Sequence, residues 1–227
     1  MKTKGNLHPI TSYLREATAV LASLGFEIYE GPEIDSEWNN FDALNIPADH
    51  PSRDMQDTFW TKDGKVLRTQ TSNCQVRYGK HNKPPFAIVV PGKIYRNEST
   101  DKGHENTFFQ LEGLYVDKDV NLGHLKYTLI EYFKKMFGPN IPVRFRPSYF
   151  PFVEPGLEVD VKFNGKWFEL LGAGMTHPKV LKNMGIDPNK YSGFAFGMGI
   201  ERQIMVKYGI SDIRSFRSGD LRFLKQF

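Results

Sequence analysis

The stretch that most restricts this chain is Leu157–Phe168. Leu157, Val159, Val161 and Phe163 alternate with Glu158, Asp160 and Lys162, then Asn164-Gly165 intervenes, and the run KWFELLG follows. Side chains of a strand alternate between two faces, and Asn-Gly supplies the two positive-φ residues that a tight two-residue hairpin loop needs. An antiparallel hairpin is therefore predicted. Five further runs read as strands: FEIYEG, KVLRTQT, FAIVVPGKIYR, TFFQLEGLYVD and VRFRPSYF. Strands that follow one another without helices between them favour an antiparallel sheet, so the predicted class is α+β.

Helical periodicity appears three times. Leu14, Ala17, Leu21 and Leu24 predict a helix from about Ser12, capped by Thr11 or Ser12 and ended by Gly25. Leu122, Leu125, Leu129, Phe133 and Met136 predict another to Phe137, capped by Asn121 and stopped by Gly138-Pro139. A third runs from Gly199 towards Tyr208. At 227 residues without a linker or repeat, one domain spanning 1–227 is expected.

Composition excludes several classes. No run of about 18 apolar residues exists, and the polar start MKTKGNLHPI lacks a secretory core, so no membrane association and a cytoplasmic location are expected. A single cysteine, Cys74, rules out an internal disulfide, and six scattered histidines offer no zinc spacing. The basic residues Arg214, Arg217, Arg222 and Lys225 alternate with Phe216, Phe223 and Phe227. Such a tail fits contact with RNA or another subunit, and equally a solvated amphipathic end.

The common nucleotide loops are missing. None of Gly64-Lys65, Gly79-Lys80, Gly92-Lys93 or Gly165-Lys166 is followed by Ser or Thr, and GFAFGMGIER has the wrong offsets for a dinucleotide fingerprint. If the chain binds a nucleotide, it must do so on the face of an antiparallel sheet. Three segments carry suitable groups. In GKIYRNESTDKGHENTFFQLEG, Arg96 and Glu98 alternate on one face of an expected strand, a polar loop with Lys102 and His104 follows, and Phe108, Gln110 and Glu112 alternate on the returning strand. In GFAFGMGIERQIM, Arg202 occupies the first turn of a helix, where N–H groups and a guanidinium suit phosphate. In PSYFPFVEPGLEVDV, Phe150 and Phe152 alternate beside Glu154. Taken singly, each is also what a solvent-facing strand, a packed corner or an ordinary core displays.

Their conjunction and order resemble the class II aminoacyl-tRNA synthetases. GFEIYEGPEI, Arg96–Glu112 and GFAFGMGIER are similar to motifs 1, 2 and 3 of that class, and HPIT, NFDALNIPADHP, DTFW, FPFVEP, GAGMTHP and DLRFLKQF resemble the catalytic domain of phenylalanyl-tRNA synthetase α subunits from about Gly5 onwards. The resemblance implies an antiparallel sheet flanked by helices, ATP and Mg²⁺, L-phenylalanine and tRNA(Phe) as ligands, and a β-subunit partner or a homodimer. It assigns Arg96 to the α-phosphate, His104 to a phosphate, Phe108 to adenine and Arg202 to the γ-phosphate, with Glu98 near the nucleotide and Glu154 on Mg²⁺. Trp60, Ser72, Gln110 and Glu112 fall around the substrate's amino and carboxylate groups; Phe150, Phe152, Val153 and Ala195 fall on its side-chain pocket.

Two departures stand out. Gln70 replaces a pocket histidine common in the family, and Val153 stands where threonine is frequent. Against the family pattern, neither the helical arm that usually precedes HPIT nor a separate anticodon-binding or editing domain is expected here, and a freestanding paralogue or a catalytically weak regulatory subunit is the alternative expectation.

Overall fold

The computed structural model describes residues 5–53 and 57–227. Met1 to Lys4, at the head of the polar start, lie outside the described residues. Helix α1 spans Pro9–Ala22, three residues earlier than its apolar stripe predicts. Proline has no N–H to lose in a first turn, and His8 accepts the Ile10 N–H at 3.3 Å, so His8 caps the helix in place of Thr11 or Ser12. Strand β1 (Glu27–Ile28) is followed by β2 (Ile34–Ser36), α2 (Glu37–Asn40), β3 (Lys65–Leu67) and α3 (Ser72–His81). Next come β4 (Phe86–Tyr95), β5 (Thr107–Asp117), α4 (Leu122–Phe137), β6 (Val143–Phe150), β7 (Val153–Phe163) and β8 (Lys166–Thr176). The chain closes with α5 (Pro178–Asn183), β9 (Ser192–Gly199), α6 (Ile200–Tyr208) and α7 (Leu221–Leu224).

Seven strands form the main sheet in the order β1-β4-β5-β9-β8-β7-β6. All neighbours are antiparallel except β1 and β4, which run parallel, so the sheet is mostly antiparallel and flanked by helices, as expected of an α+β chain. The predicted hairpin is β7–β8, and Asn164 and Gly165 take φ of 47° and 80° at its turn. The run KVLRTQT becomes strand only as far as Leu67. Beyond it Arg68 is buried, donating to the carbonyls of Lys93 and Gly31 at 2.8 and 3.1 Å, and α3 begins at Ser72. No apolar periodicity announces α3, because its buried side includes Asn73 and Gln75, which donate to Asp35 and Glu112.

The strands alternate between two faces, except where irregular pairing of β7 with β8 sends both Leu170 and Leu171 into one core. Phe194, Phe196 and Met198 of β9 join Leu111 of β5 and Leu171 of β8 in a core covered by α1, α4 and α6. On the opposite face, α3, α5 and the Phe41–Leu44 segment pack over β4 and Leu114, leaving part of β5, β9, β8 and β7 uncovered by helix.

Candidate active site

Glycines shape the uncovered face. The register aligns Glu112 with Gly197 and Gly197 with Gly172. Because that row carries almost no side chain between Glu112 and β7, a cavity of about 680 Å³ opens above it. A Cβ at Gly172 would stand 2.9 Å from Phe150 Cζ, so glycine there is what leaves room for that ring.

One end of the cavity is polar. Glu112 is buried and accepts from Thr71 N–H at 3.1 Å, from Gln75 Nε2 at 3.1 Å and from the Ser72 hydroxyl. Burial pushes its carboxyl up to about 7, against the lowering effect of these donors. Gln110 Oε1 is buried with no partner among the described residues, an acceptor suited to an ammonium group. Gln70 also lines the cavity, and its Nε2 donates to Asn40 O at 3.1 Å.

The other end is aromatic. Phe150 and Phe152 stack with centroids 5.9 Å apart and planes at 18°, flanked by Val153 and Ala195. Asn45 Nδ2 donates to Pro151 O at 2.7 Å and holds the bend between the two rings. These are the residues that the resemblance assigns to the amino acid, with one exception. Trp60 lines neither cavity; it packs in the core below α3 and α5, and its indole N–H is buried without a partner among the described residues.

A smaller cavity of about 100 Å³ adjoins the first, and Arg96 and Glu98 border both. Contrary to the strand expectation, β4 ends at Tyr95, so both residues stand at the start of the loop, their charged groups 3.9 Å apart. Arg96 Nε donates to Thr69 O at 3.1 Å, and the guanidinium lies 5.2 Å from the Phe108 ring centroid. Desolvation lowers the Arg96 pKa, with the carboxylates of Glu98 and Glu112 opposing it; the group remains a cation. Phe108, His104 and Arg202 complete the wall. Arg202 is exposed and has no ion pair among the described residues, whereas His104 is engaged by Asp101 at 3.0 Å.

Glu154 is not with them. Its side chain is 76% exposed, lines neither cavity, and faces His177 Nε2 at 3.5 Å. Magnesium is usually held by one or two carboxylates together with phosphates and waters. No group of three or more His, Cys, Asp or Glu among the described residues is arranged for a metal. The basic tail is not a free patch either. Arg214 pairs with Asp212 at 2.6 Å and Arg222 with Asp220 at 2.8 Å, while Arg217 donates to Thr107 O. Phe223 packs against Phe216 and Phe227. Arg217 also pairs with Glu105 at 3.7 Å, so three of the four basic residues have an acidic partner within the chain, and the segment folds back on β5 through Thr107 and on α6 through the Tyr208–Phe227 contact.

Residues 1–227 match the family model described as tRNA synthetases class II core domain (F). The chain belongs to that family. Among curated relatives, it is 54% identical over 224 residues to the phenylalanine–tRNA ligase alpha subunit of Yersinia enterocolitica, covering 98% of this chain and 68% of the relative. The corresponding subunit of Xylella fastidiosa is 51% identical, over 99% of this chain and 68% of that protein. The pyrrolysyl-tRNA synthetase of Desulfitobacterium hafniense shares the fold, with a TM-score of 0.74 at 19% identity over 95% of this chain and 75% of that one. No helix of the described residues is long and apolar enough to cross a membrane.

Within this class II core, one residue escaped the sequence reading. Glu201 of GIER is buried, and both carboxylate oxygens accept the Phe109 N–H, at 3.0 and 2.9 Å. It ties α6 to β5 where β9 has already ended, which holds Arg202 beside Phe108. An adjacent Glu-Arg pair at a helix start was the available signal. Burial raises the Glu201 carboxyl to about 7, as it does that of Glu112. Both groups keep their proton in the folded state up to higher pH than the ordinary 4.5, so folding stability should fall as pH climbs from 4.5 to about 7. Each contributes on the order of 3 kcal/mol. Denaturant unfolding across this range should show a shallower decline for Glu112→Gln and for Glu201→Gln than for the parent; parallel curves would refute it.

Proposed function

We propose that this chain activates L-phenylalanine with ATP as phenylalanyl-adenylate and transfers it to tRNA(Phe), working with a β-type partner subunit. The observation that carries the proposal is the junction of the two cavities at Arg96. The larger offers acceptors at Gln110 and Glu112 for an ammonium group and an aromatic wall at Phe150 and Phe152 for a benzyl group. The smaller joins Arg96, Phe108 and Arg202, a pair of cations and a ring suited to a nucleotide's phosphates and base. An amino acid with its ammonium at Gln110 directs its carboxylate towards Arg96.

The chemistry needs no protein nucleophile. A substrate carboxylate oxygen attacks the α-phosphorus, the bond from that phosphorus to the bridging oxygen breaks, and pyrophosphate leaves with the electron pair. What the chain supplies is alignment and positive charge where the negative charge gathers. Arg96 is placed to contact both reactants, Phe108 to stack on adenine, and Arg202 and His104 to meet the departing phosphates; Glu98 borders the nucleotide. Mg²⁺ would accompany the nucleotide and offset the charge of its phosphates, with Glu154 the carboxylate that the family resemblance offers it.

Phenylalanine-dependent ATP–pyrophosphate exchange tests the proposal. The purified chain, alone and with a β subunit from a relative, should exchange label when phenylalanine is present and not when it is omitted. A folded protein that is silent in both arms overturns the activity and favours the regulatory alternative.

A further inference from the structure

The deep end of the larger cavity is not wholly apolar. Thr176, the last residue of β8, lines it and is 7% exposed, and its Oγ1 has no hydrogen-bond partner among the described residues. Buried hydroxyls are nearly always paired, since an unmet one costs on the order of 1–3 kcal/mol. The assignments made by resemblance leave this residue out.

Its place follows from the register. Thr176 pairs with Val153 across β7, on the same face of the sheet as Gly172 and Gly174. On its other side, a Cβ built on Gly193 would lie 3.4 Å from Thr176 Oγ1, 3.1 Å from Val116 Cγ2 and 2.6 Å from Tyr115 O, so the neighbouring glycine offers the hydroxyl no side-chain partner. Ala195 is two residues along β9 from that glycine. At the opposite end, Glu112 shares a row with Gly197 and Gly172, and Thr176 is four residues further along β8, about 13 Å at a strand's rise. An aromatic amino acid whose ammonium meets Gln110 and Glu112 therefore presents the distal edge of its ring towards Thr176. Val153 makes one side of this end more apolar, and Thr176 puts a hydroxyl directly across from it.

We propose that Thr176 is a specificity-determining residue whose hydroxyl reads a hydroxyl group on the distal edge of the substrate ring. A threonine hydroxyl both donates and accepts, so it pairs with a phenol in either sense. The site then takes ring-hydroxylated phenylalanines in competition with phenylalanine more readily than an apolar pocket does. This deepens the phenylalanine-activation reading and rests on it.

The test compares kcat/KM in pyrophosphate exchange for tyrosine and meta-tyrosine, each relative to phenylalanine, in the parent chain with its β partner and in Thr176→Val, Thr176→Ala and Thr176→Ser. Loss of the hydroxyl in the valine and alanine variants should lower the ratio about tenfold for at least one isomer, and the isomer affected reports the ring position that the hydroxyl meets. Thr176→Ser should keep the ratio within about threefold of the parent. Melting temperature gives an independent readout. Thr176→Val removes an unpaired polar group at equal volume and should melt no lower than the parent. Ratios unchanged for both isomers in both hydroxyl-free variants, with phenylalanine still activated, overturn the proposal alone. A parent chain that neither activates phenylalanine nor binds it in calorimetry overturns this inference together with the reading beneath it.

Discussion

Replacing Arg96 by alanine should slow phenylalanine-dependent pyrophosphate exchange by about a thousandfold. The guanidinium borders both cavities, is held through Nε by Thr69 O at 3.1 Å, and lies over Phe108, so its remaining N–H groups point at fixed positions before any substrate arrives. Charge that develops between carboxylate and α-phosphate meets a donor that need not reorganise. Loss of such a donor is felt in the transition state more than in binding, and kcat should carry most of the effect. Arg96→Lys should recover only part of it, because an ammonium cannot keep the Thr69 contact while spanning two reactants. Steady-state exchange kinetics with both variants provide the check. An effect smaller than about tenfold on kcat would remove Arg96 from the reacting centre.

The second large effect is expected from one methyl group. In Gly172→Ala the new Cβ would sit 2.9 Å from Phe150 Cζ and 3.2 Å from Cε2. Phe150 cannot simply retreat, since it stacks against Phe152, whose own bend is held by the Asn45–Pro151 hydrogen bond. The ring must tilt into the cavity. Overpacking of this kind costs about 1–3 kcal/mol, which in an amino-acid pocket becomes a rise of about 10- to 100-fold in the KM for phenylalanine. The cavity proposed for the nucleotide adjoins this one and is not lined by Gly172, so the KM for ATP should move far less. Equal shifts in both constants would show that the substitution disturbs the sheet rather than the pocket. Gly174→Ala is the harsher control: its Cβ would meet the Pro155 carbonyl oxygen at 2.5 Å, a backbone atom with nowhere to go.

These two residues also mark where sequence reasoning succeeds and where it stops. Arg96 is legible because its neighbours form an ordered run whose resemblance to a family motif assigns it a phosphate. Gly172 is invisible as a functional residue: it contributes no group, and its value lies in what it leaves empty once three strands align. Thr176 is similar, a threonine at the end of a strand run until the register sets it across from Val153. Helix α3 was missed because amphipathic periodicity detects apolar stripes, whereas its buried face carries Asn73 and Gln75 satisfied by carboxylates distant in sequence. The basic tail was open to two readings because charge composition does not reveal partners, and Asp212, Asp220 and Thr107 turn out to hold most of it.

What the sequence alone determined was local. The β7–β8 turn follows from Asn164-Gly165 and α4 from a stripe bounded by Asn121 and Gly138, because turn chemistry, capping and periodicity act over a few residues. Only the tertiary structure decided that Glu112, Gly197 and Gly172 share one row, that Arg96 joins two cavities, that Glu201 anchors the helix carrying Arg202, and that Glu154 and Trp60 stand apart from them. Those are outcomes of strand order and register, which depend on how the whole sheet buries its helix-covered face.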